Sequence, residues 1–287
     1  MLKRAMRPFA LLAALGAFAL APSASAQTAS AEQIAALLAS PDRTAADRTN
    51  DQRRKPDQML AFFAVPRGAT AVDLSAAGGY TTELVARATG PDGAVFGQSR
   101  PPNPGGPRPA QAEGNANPSA TPSAAPPPAM PRVFRPSPEA LAERMERMRA
   151  AGVATAPITA VVRPFEDPFP AELAEAKVDF VTLIFNYHDL GHMGVDRAAM
   201  NRAVFRALKP GGHYVIADHS GRPGTGISEA GTLHRVEEAF LRQEIEAVGF
   251  RLVAEGQFLR NPLDPRDKNT PDPPTPKDQF VLKFVKP

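Results

Sequence analysis

This 287-residue chain contains no cysteine. The absence excludes disulfide bonds, a thiolate nucleophile, cysteine-ligated zinc and lipid attachment through cysteine, and it is compatible with an exported protein. The N-terminal apolar run, residues 9–21, has 13 residues, fewer than the roughly 20 that a membrane-spanning helix needs. A retained membrane anchor is therefore not predicted.

The first 26 residues instead have the three parts of a secretory signal peptide. Lys3, Arg4 and Arg7 precede the apolar run, and the small residues of Ala24-Ser25-Ala26 follow it. This order predicts cleavage after Ala26 and a periplasmic or secreted mature protein.

The mature chain also lacks an excess of positive charge. Removing the three basic residues of the leader leaves 30 Lys and Arg against 30 Asp and Glu. A nucleic-acid surface needs clustered basic residues on the folded domain, so no nucleic-acid partner is predicted. The run Arg53-Arg54-Lys55 is interpreted as a solvated face. No pattern in the sequence indicates an oligomeric state.

Two proline-rich stretches interrupt the chain. Residues 101–138 contain 13 prolines and almost no large apolar side chain, so residues 101–137 are predicted to be a disordered insert. Residues 261–276 contain six more prolines and are predicted to form an extended arm on the surface. The remainder, residues 27–100 and 138–287, forms one predicted domain: the N-terminal helices and first half of the sheet, then the rest.

Strand-like and helix-like patterns alternate within that domain. Residues 178–185 are apolar on both faces, which is typical of a parallel strand covered by helices. The alternation predicts a doubly wound α/β fold with a mostly parallel seven-stranded sheet, the last strand antiparallel. Predicted strands are 70–74, 94–97, 158–163, 178–185, 213–218, 250–254 and 279–286. Predicted helices are 31–39, 57–63, 80–88, 138–151, 196–208 and 235–248, and the fourth of these has Ser137 as its N-cap and Gly152 just past its end.

In open α/β sheets, ligands bind beyond the carboxyl ends of the strands. Ser75 to Tyr80 follow the first predicted strand, Asn186 to Asp189 the fourth, and His219 the fifth. Polar side chains are therefore expected to gather at one edge of the sheet.

The sequences "AVDLSAAGGYTTELVA", "VDFVTLIFNYHDL" and "LKPGGHYVIADH" resemble those of class I S-adenosylmethionine-dependent methyltransferases. With "RKPDQMLAFFAV" and "GTLHRVEEAFLRQEIEAVGF", the chain resembles more narrowly a bacterial group of predicted methyltransferases that carry signal peptides. The resemblance covers roughly residues 55–286, apart from the proline-rich stretches. It implies a Rossmann-like fold, S-adenosylmethionine as cofactor and methyl transfer to a small-molecule substrate.

The resemblance also implies a set of cofactor-binding residues. Glycine lacks a Cβ and so permits close approach of the cofactor to the backbone of the loop. Asp73 would hold the amides of that loop or the methionyl ammonium, and an acid after the third strand would accept from the adenine amine. The residues with these expected roles are Asp73, Gly78, Gly79, Glu166, Asp167 and Asn186.

Three positions depart from the family pattern. Ser75 and Ala77 stand where the family usually has glycine, and Gln98 stands where it usually has an acid. All three are still assigned to cofactor binding, but a neutral amide gains less from ribose hydroxyls than a carboxylate does. A weakened affinity for the cofactor is expected.

The acid/base chemistry is assigned to the residues after the fourth and fifth strands. His188 beside Asp189 is the preferred catalytic pair, because a histidine can take a proton from a hydroxyl nucleophile near neutral pH. His219 is a second candidate, and it and His234 are open to roles as bases, substrate contacts or, with Asp189 and Asp218, metal ligands. The preferred assignment contains no metal, because neighbouring histidine and aspartate residues are common in loops.

Two other functions are open to comparison. An exported protein could keep this fold and bind another ligand without catalysis, because S-adenosylmethionine is made in the cytosol. A nicotinamide-dependent oxidoreductase is disfavoured, since the loop is not G-x-G-x-x-G and no acid directly follows the second strand.

Overall fold

The computed structural model describes residues 27–102, 135–269 and 275–287. The predicted signal peptide and nearly all of the predicted disordered insert lie outside these residues. No helix within the described ranges is long and apolar enough to cross a membrane.

The described chain folds around one seven-stranded sheet. The strands lie in the order β3-β2-β1-β4-β5-β7-β6. Five strands are parallel to one another, and β7 runs antiparallel to both β5 and β6. The strands are β1 (Thr70–Leu74), β2 (Ala94–Ser99), β3 (Ile158–Val162), β4 (Val178–Ile184), β5 (Leu208–His219), β6 (Arg251–Gly256) and β7 (Gln279–Val285). The prediction of an α/β fold with an antiparallel last strand is confirmed.

Helices cover both faces of this sheet, as the uniformly apolar sequence of β4 predicts. The helices are α1 (Ala31–Ala39), α2 (Ala45–Arg54), α3 (Pro56–Phe63), α4 (Tyr80–Thr89), α5 (Ser137–Ala150), α6 (Tyr187–His192), α7 (Arg197–Ala207), α8 (Ala230–Leu233) and α9 (Glu238–Glu246), with a 3-10 turn at Ala171–Leu173. One core contains side chains of α1, α3 and α4. The other contains side chains of α7 and α9.

The structure corrects three predicted boundaries. Strand β5 begins at Leu208, earlier than predicted, with an irregular register opposite 178–180 that accommodates Pro210. Helix α5 begins after Pro136, with no side-chain cap, so the predicted capping role of Ser137 is wrong.

The third correction concerns the helix predicted from residue 235. His234 has a left-handed backbone with φ of 52°, and Val236 pairs with Ser220 in a parallel bridge. Helix α9 therefore begins only at Glu238. The short helices α6 and α8 were not among the predicted elements. Helix α8 ends directly before this break, and the two helices place His188 and His234 near each other.

Candidate functional site

The carboxyl ends of β1, β4 and β5 lie side by side. Leu74 at the end of β1 is in register with Leu183, and Ile184 at the end of β4 is in register with Ala217. The loop after β1, the segment 185–189 and the segment 218–220 therefore leave the sheet as neighbours. The polar residues of these three segments therefore lie at one edge of the sheet, which is the arrangement that the sequence predicts.

The loop after β1 has an unusual backbone. Ser75 and Ala77 have positive φ values of 59° and 46°, and Gly79 has a φ of 77°. Residues other than glycine adopt this conformation at an energetic cost. The loop thus keeps backbone angles that glycine adopts easily, although Ser75 and Ala77 carry side chains.

The two glycines of the loop have different surroundings. A Cβ added to Gly78 would meet nothing within 4 Å, and Gly78 is exposed. A Cβ added to Gly79 would lie 2.6 Å from Cδ2 of Leu141 and 2.9 Å from Cδ of Arg144, both on α5. Gly79 is therefore required for helix packing, and Gly78 is the position where a ligand can approach the backbone.

Asp73 lies beneath this loop and does not face a ligand. Its Oδ2 accepts a 2.6 Å hydrogen bond from the Thr82 hydroxyl, and its Oδ1 a 2.7 Å bond from the Thr182 hydroxyl. Burial raises the pKa of Asp73 to about 6, although both hydroxyls act in the opposite direction. Both carboxylate oxygens of Asp73 thus bond within the protein and link β1 to α4 and β4.

Gln98 is fully buried and likewise bonded within the protein. Its Oε1 accepts from the backbone amide of Ser75 at 3.0 Å, and its Nε2 donates to the carbonyl of Arg163 at 2.7 Å. Gln98 therefore holds the β1 loop to the end of β3. One N–H and one oxygen lone pair of this amide are left for a ribose hydroxyl, but the side chain is fully buried.

The two acids assigned to the adenine amine lie after β3 but have other partners. Glu166 Oε1 accepts from the amide of Asp196 at 3.2 Å. Asp167 is exposed and pairs with Arg163. Neither is fixed toward the β1 loop.

His188 is the most constrained side chain at this edge. Its Nδ1 lies 2.6 Å from Oδ1 of Asp218, and its backbone amide donates to Oδ2 of Asp218 at 2.8 Å. Burial opposes a charge on the ring, but the carboxylates of Asp218 and Asp189 outweigh it and raise the pKa of His188 to about 10. His188 therefore carries a proton near neutral pH, and the predicted role of general base does not suit it in this state.

Asp189 is the ionised group beside it. Burial would raise the pKa of Asp189, but His188 and the Asn186 amide outweigh burial and hold that pKa below its usual range. Asn186 Nδ2 donates to Oδ2 of Asp189 at 3.1 Å. The structure thus brings Asn186 to the acid/base cluster, whereas the sequence assigned it to the cofactor.

His219 and His234 complete the cluster. The His219 ring stacks on Phe185 with centroids 5.3 Å apart, and its Nδ1 lies 3.1 Å from Nε2 of Gln279. His234 Nδ1 lies 3.5 Å from Oδ1 of Asp189. Asp218 is a positioning residue for His188, and its place at the end of a predicted strand was the signal for it.

Helix α2, which the sequence-based assignment missed, covers the β1 loop. Its Asp47 pairs with Arg144 of α5 at 2.8 Å, and its Asp51 accepts from the Tyr80 hydroxyl at 2.7 Å. The Arg54 guanidinium lies 4.1 Å from the centre of the Phe185 ring. Arg54 is thus a packed residue, which the interpretation as a solvated run did not predict.

A cavity between α2, α3 and α4 is too small for a nucleoside. It has a volume of about 10 Å³ and is lined by residues that include Arg54, Tyr80 and Ile184, which is room for about one water molecule. A ligand at this edge would therefore lie on the exposed side of the loop, at Gly78.

Several solved structures with a similar fold are methyltransferases, and another is a [4+2]-cyclase. A candidate methyltransferase of Bacillus halodurans superposes with a TM-score of 0.50 at 12% identity, covering 82% of this chain and 99% of its own. An S-adenosylmethionine-dependent methyltransferase of Aquifex aeolicus superposes with a TM-score of 0.48 at 14% identity, covering 85% of this chain and 100% of its own. One of Mesorhizobium loti superposes with a TM-score of 0.46 at 15% identity, covering 83% of this chain and 99% of its own. No family model matches the sequence, and neither does any curated protein. At these identities the similarity shows the fold alone.

Proposed function

We propose that this protein is a methyltransferase that uses S-adenosylmethionine and acts on a small-molecule nucleophile outside the cytosol. One observation carries the proposal. In a sheet with the strand order of methyltransferases, the exposed loop of small residues after β1 lies beside the buried cluster of His188 and Asp218 at the ends of β4 and β5. The resemblance of the sequence to a signal-peptide-bearing group of predicted methyltransferases supports the proposed location.

The residues at the edge fit the cofactor in part. Gly78 is open, and Ser75 and Ala77 are small and half-buried. These three would hold the amino-acid portion through the backbone, and Glu166 or Asp167 would accept from the adenine amine once turned from their present partners. No acid faces the ribose position, because Gln98 occupies it and is already bonded. When bound, the cofactor would supply an electrophilic methyl group on its sulfonium.

The protein's own groups would orient the acceptor. Asp189 is ionised and less deeply buried than His188, so it is the group that can accept a hydrogen bond from an acceptor hydroxyl. Its lowered pKa makes it a weak base, and the hydroxyl proton would pass to solvent as the methyl group is transferred. His188, charged and held by Asp218, would stabilise the Asp189 carboxylate and fix its position. The catalytic assignment therefore moves from His188 to Asp189, with His188 as a positioning residue.

A titration of the purified protein with S-adenosylmethionine by calorimetry tests the proposal. We expect binding that the Gly78→Leu substitution weakens at least tenfold and that Gly78→Ala preserves. Gly78 is the suitable position because an added side chain there meets no protein atoms, whereas Gly79 substitutions would disturb packing. Equal binding by both variants would move the cofactor site away from this loop.

A second candidate is an exported binding protein that keeps the fold without catalysis. The closed hydrogen bonds of Gln98 and Asp73 favour it, because both side chains act within the protein. Absence of S-adenosylmethionine binding in the same titration would support this candidate over the first.

A further inference from the structure

Three metal-ligating atoms converge at the carboxyl ends of β4 and β5. His188 Nε2 lies 3.3 Å from Oδ1 of Asp189, and His234 Nδ1 lies 3.5 Å from the same oxygen. All three atoms lie within 4.8 Å of one another. Ligands bound to one tetrahedral zinc ion at about 2.1 Å are separated from each other by about 3.4 Å. The spacing of the cluster is thus close to that of ligands sharing one ion.

Each ligand is held by a second group. Asp218 accepts from Nδ1 of His188 and so leaves Nε2 directed at Asp189. Metal-binding histidines commonly donate their other ring nitrogen to a carboxylate in this way. Asn186 donates to Oδ2 of Asp189 and leaves Oδ1 as the ligand atom.

His234 is held through its backbone. Its φ of 52° is a conformation that an L-residue adopts only when its surroundings enforce it. The next residue, Arg235, has a fully buried side chain that pairs with the fully buried Asp264. The strained backbone and the buried ion pair together direct His234 toward Asp189.

Internal bonding satisfies the cluster only in part. Asp189 Oδ1 and His234 Nδ1 are buried and make no well-formed hydrogen bond among the described residues, and Nε2 of His188 is 3.3 Å from that oxygen. A buried carboxylate oxygen or ring nitrogen without a partner is costly, and such a group calls for an explanation. A bound cation would satisfy both atoms and the Nε2 of His188 together.

The geometry points to a site for one divalent first-row transition-metal ion, which we propose is bound by His188, Asp189 and His234. Two imidazoles and one carboxylate suit zinc or ferrous iron, whereas magnesium and calcium prefer oxygen ligands. Three protein ligands leave coordination positions open, which is typical of catalytic metal sites. The proposal goes beyond the proposed methyl transfer and does not depend on it. A bound ion would displace the proton on Nε2 of His188, so the charged His188 described above belongs to the metal-free protein.

Metal binding can be measured without any methyl-transfer assay. Metal is first removed from the purified protein with a chelator, and the protein is then titrated with Zn²⁺ by calorimetry in the absence of S-adenosylmethionine. In a second measurement, the visible absorption of the Co²⁺-substituted protein reports the ligand geometry. We expect one ion per chain. His234→Asn should weaken Zn²⁺ binding at least 100-fold, since asparagine tolerates the left-handed backbone but removes the imidazole.

Three further variants separate ligand loss from misfolding. Asp189→Asn should weaken binding in the same way, and Asp218→Asn should do so 10- to 100-fold through loss of the group that orients His188. His192→Gln, an exposed histidine on the same helix as His188, should leave the affinity unchanged. A thermal melt of each variant without metal shows whether it is folded.

The alternative is a metal-free ion triad in which a protonated His188 bridges Asp218 and Asp189. Equal Zn²⁺ affinity of the wild-type protein and folded His234→Asn, or no binding by the wild-type protein, would establish that arrangement and overturn the proposal. Because the readout needs no cofactor, failure of methyl transfer with intact Zn²⁺ binding would refute only the proposed function.

Discussion

The buried pair of Arg235 and Asp264 is predicted to be a major stabilising contact behind the site. Both side chains are fully buried, with Nη1 of Arg235 2.8 Å from Oδ2 of Asp264 and Nη2 3.1 Å from Oδ1. Arg235 also donates to the carbonyls of Ser220 and Lys268 at 3.0 Å. Truncating one partner of such a pair leaves a buried charge uncompensated, which costs about 3–5 kcal/mol.

We therefore expect Arg235→Met to lower the free energy of unfolding by about 3 kcal/mol or more, measured by urea denaturation near neutral pH. The matched control is Arg242→Met. Arg242 pairs with Glu246 on the surface, where the two side chains are 46% and 37% exposed, and such pairs contribute at most about 0.5 kcal/mol. The double substitution Arg235→Met with Asp264→Leu should cost less than the sum of the two single substitutions, because it removes both charges.

The same pair predicts a dependence on pH. Burial opposes ionisation of Asp264, but Arg235 and two backbone amides outweigh burial and hold its pKa below the usual value. A carboxyl with a lowered pKa stabilises the fold above its unfolded-state pKa, and the stabilisation is lost as the pH falls through the folded-state pKa. The difference between wild-type protein and Arg235→Met should therefore shrink below about pH 4. A loss under about 1 kcal/mol at neutral pH, or one no larger than that of the Arg242 control, would refute the reasoning.

Three further predictions concern the β1 loop. Burial raises the pKa of Asp73 to about 6, so the folded protein binds more protons than the unfolded chain between pH 4 and 7. Over that range the wild-type protein should therefore lose about 2 kcal/mol of stability relative to Asp73→Asn, measured by urea denaturation. Gly79→Ala should cost about 1–3 kcal/mol, because its Cβ would overlap α5 and its φ is positive; Gly78→Ala, measured alongside by thermal melting, should stay within about 0.5 kcal/mol. Gln98→Leu should cost about 2 kcal/mol through two lost backbone hydrogen bonds, and hydrogen exchange at the Ser75 amide should accelerate.

The sheet could be predicted from the sequence because its strands are continuous apolar runs. The pattern of β4 indicated burial on both faces, and the glycines Gly78 and Gly79 follow the end of β1. The break before α9 could not be predicted in the same way. Helical periodicity extends through residues 235–237, but Arg235 is drawn into a buried pair with Asp264, which lies in the proline-rich arm. Long-range ion pairing overrides local propensity there, and no local pattern announces it.

The roles at the site were harder to predict than its position. Asp73 and Gln98 follow or end strands, as ligand-binding residues do, yet their polar atoms are bonded to Thr82, Thr182 and backbone groups. Whether a polar side chain faces a ligand or the protein depends on neighbours contributed by other strands. The cluster of His188 with Asp189 was placed correctly at the edge, but its protonation depends on Asp218, which the fold brings to 2.6 Å.

Backbone strain gives an independent reason to regard this edge as functional. Ser75, Ala77, Phe185 and His234 all have left-handed backbones, and each lies in the loop after β1, at the end of β4 or beside the histidine cluster. Such residues cost of the order of 1 kcal/mol or more each and persist only where the surrounding structure enforces them. Phe185 is enforced by a 2.7 Å hydrogen bond from its amide to Ala217 and by Arg54 over its ring. Four other described non-glycine residues, Lys55, Ala64, Ala176 and Arg266, also have a positive φ, so it is the concentration of four such residues at this edge that distinguishes it. These backbone conformations bring side chains from the end of β4, from α6 and from the segment before α9 to one point. At that point Asp189 Oδ1 and His234 Nδ1 are buried without a hydrogen-bond partner among the described residues.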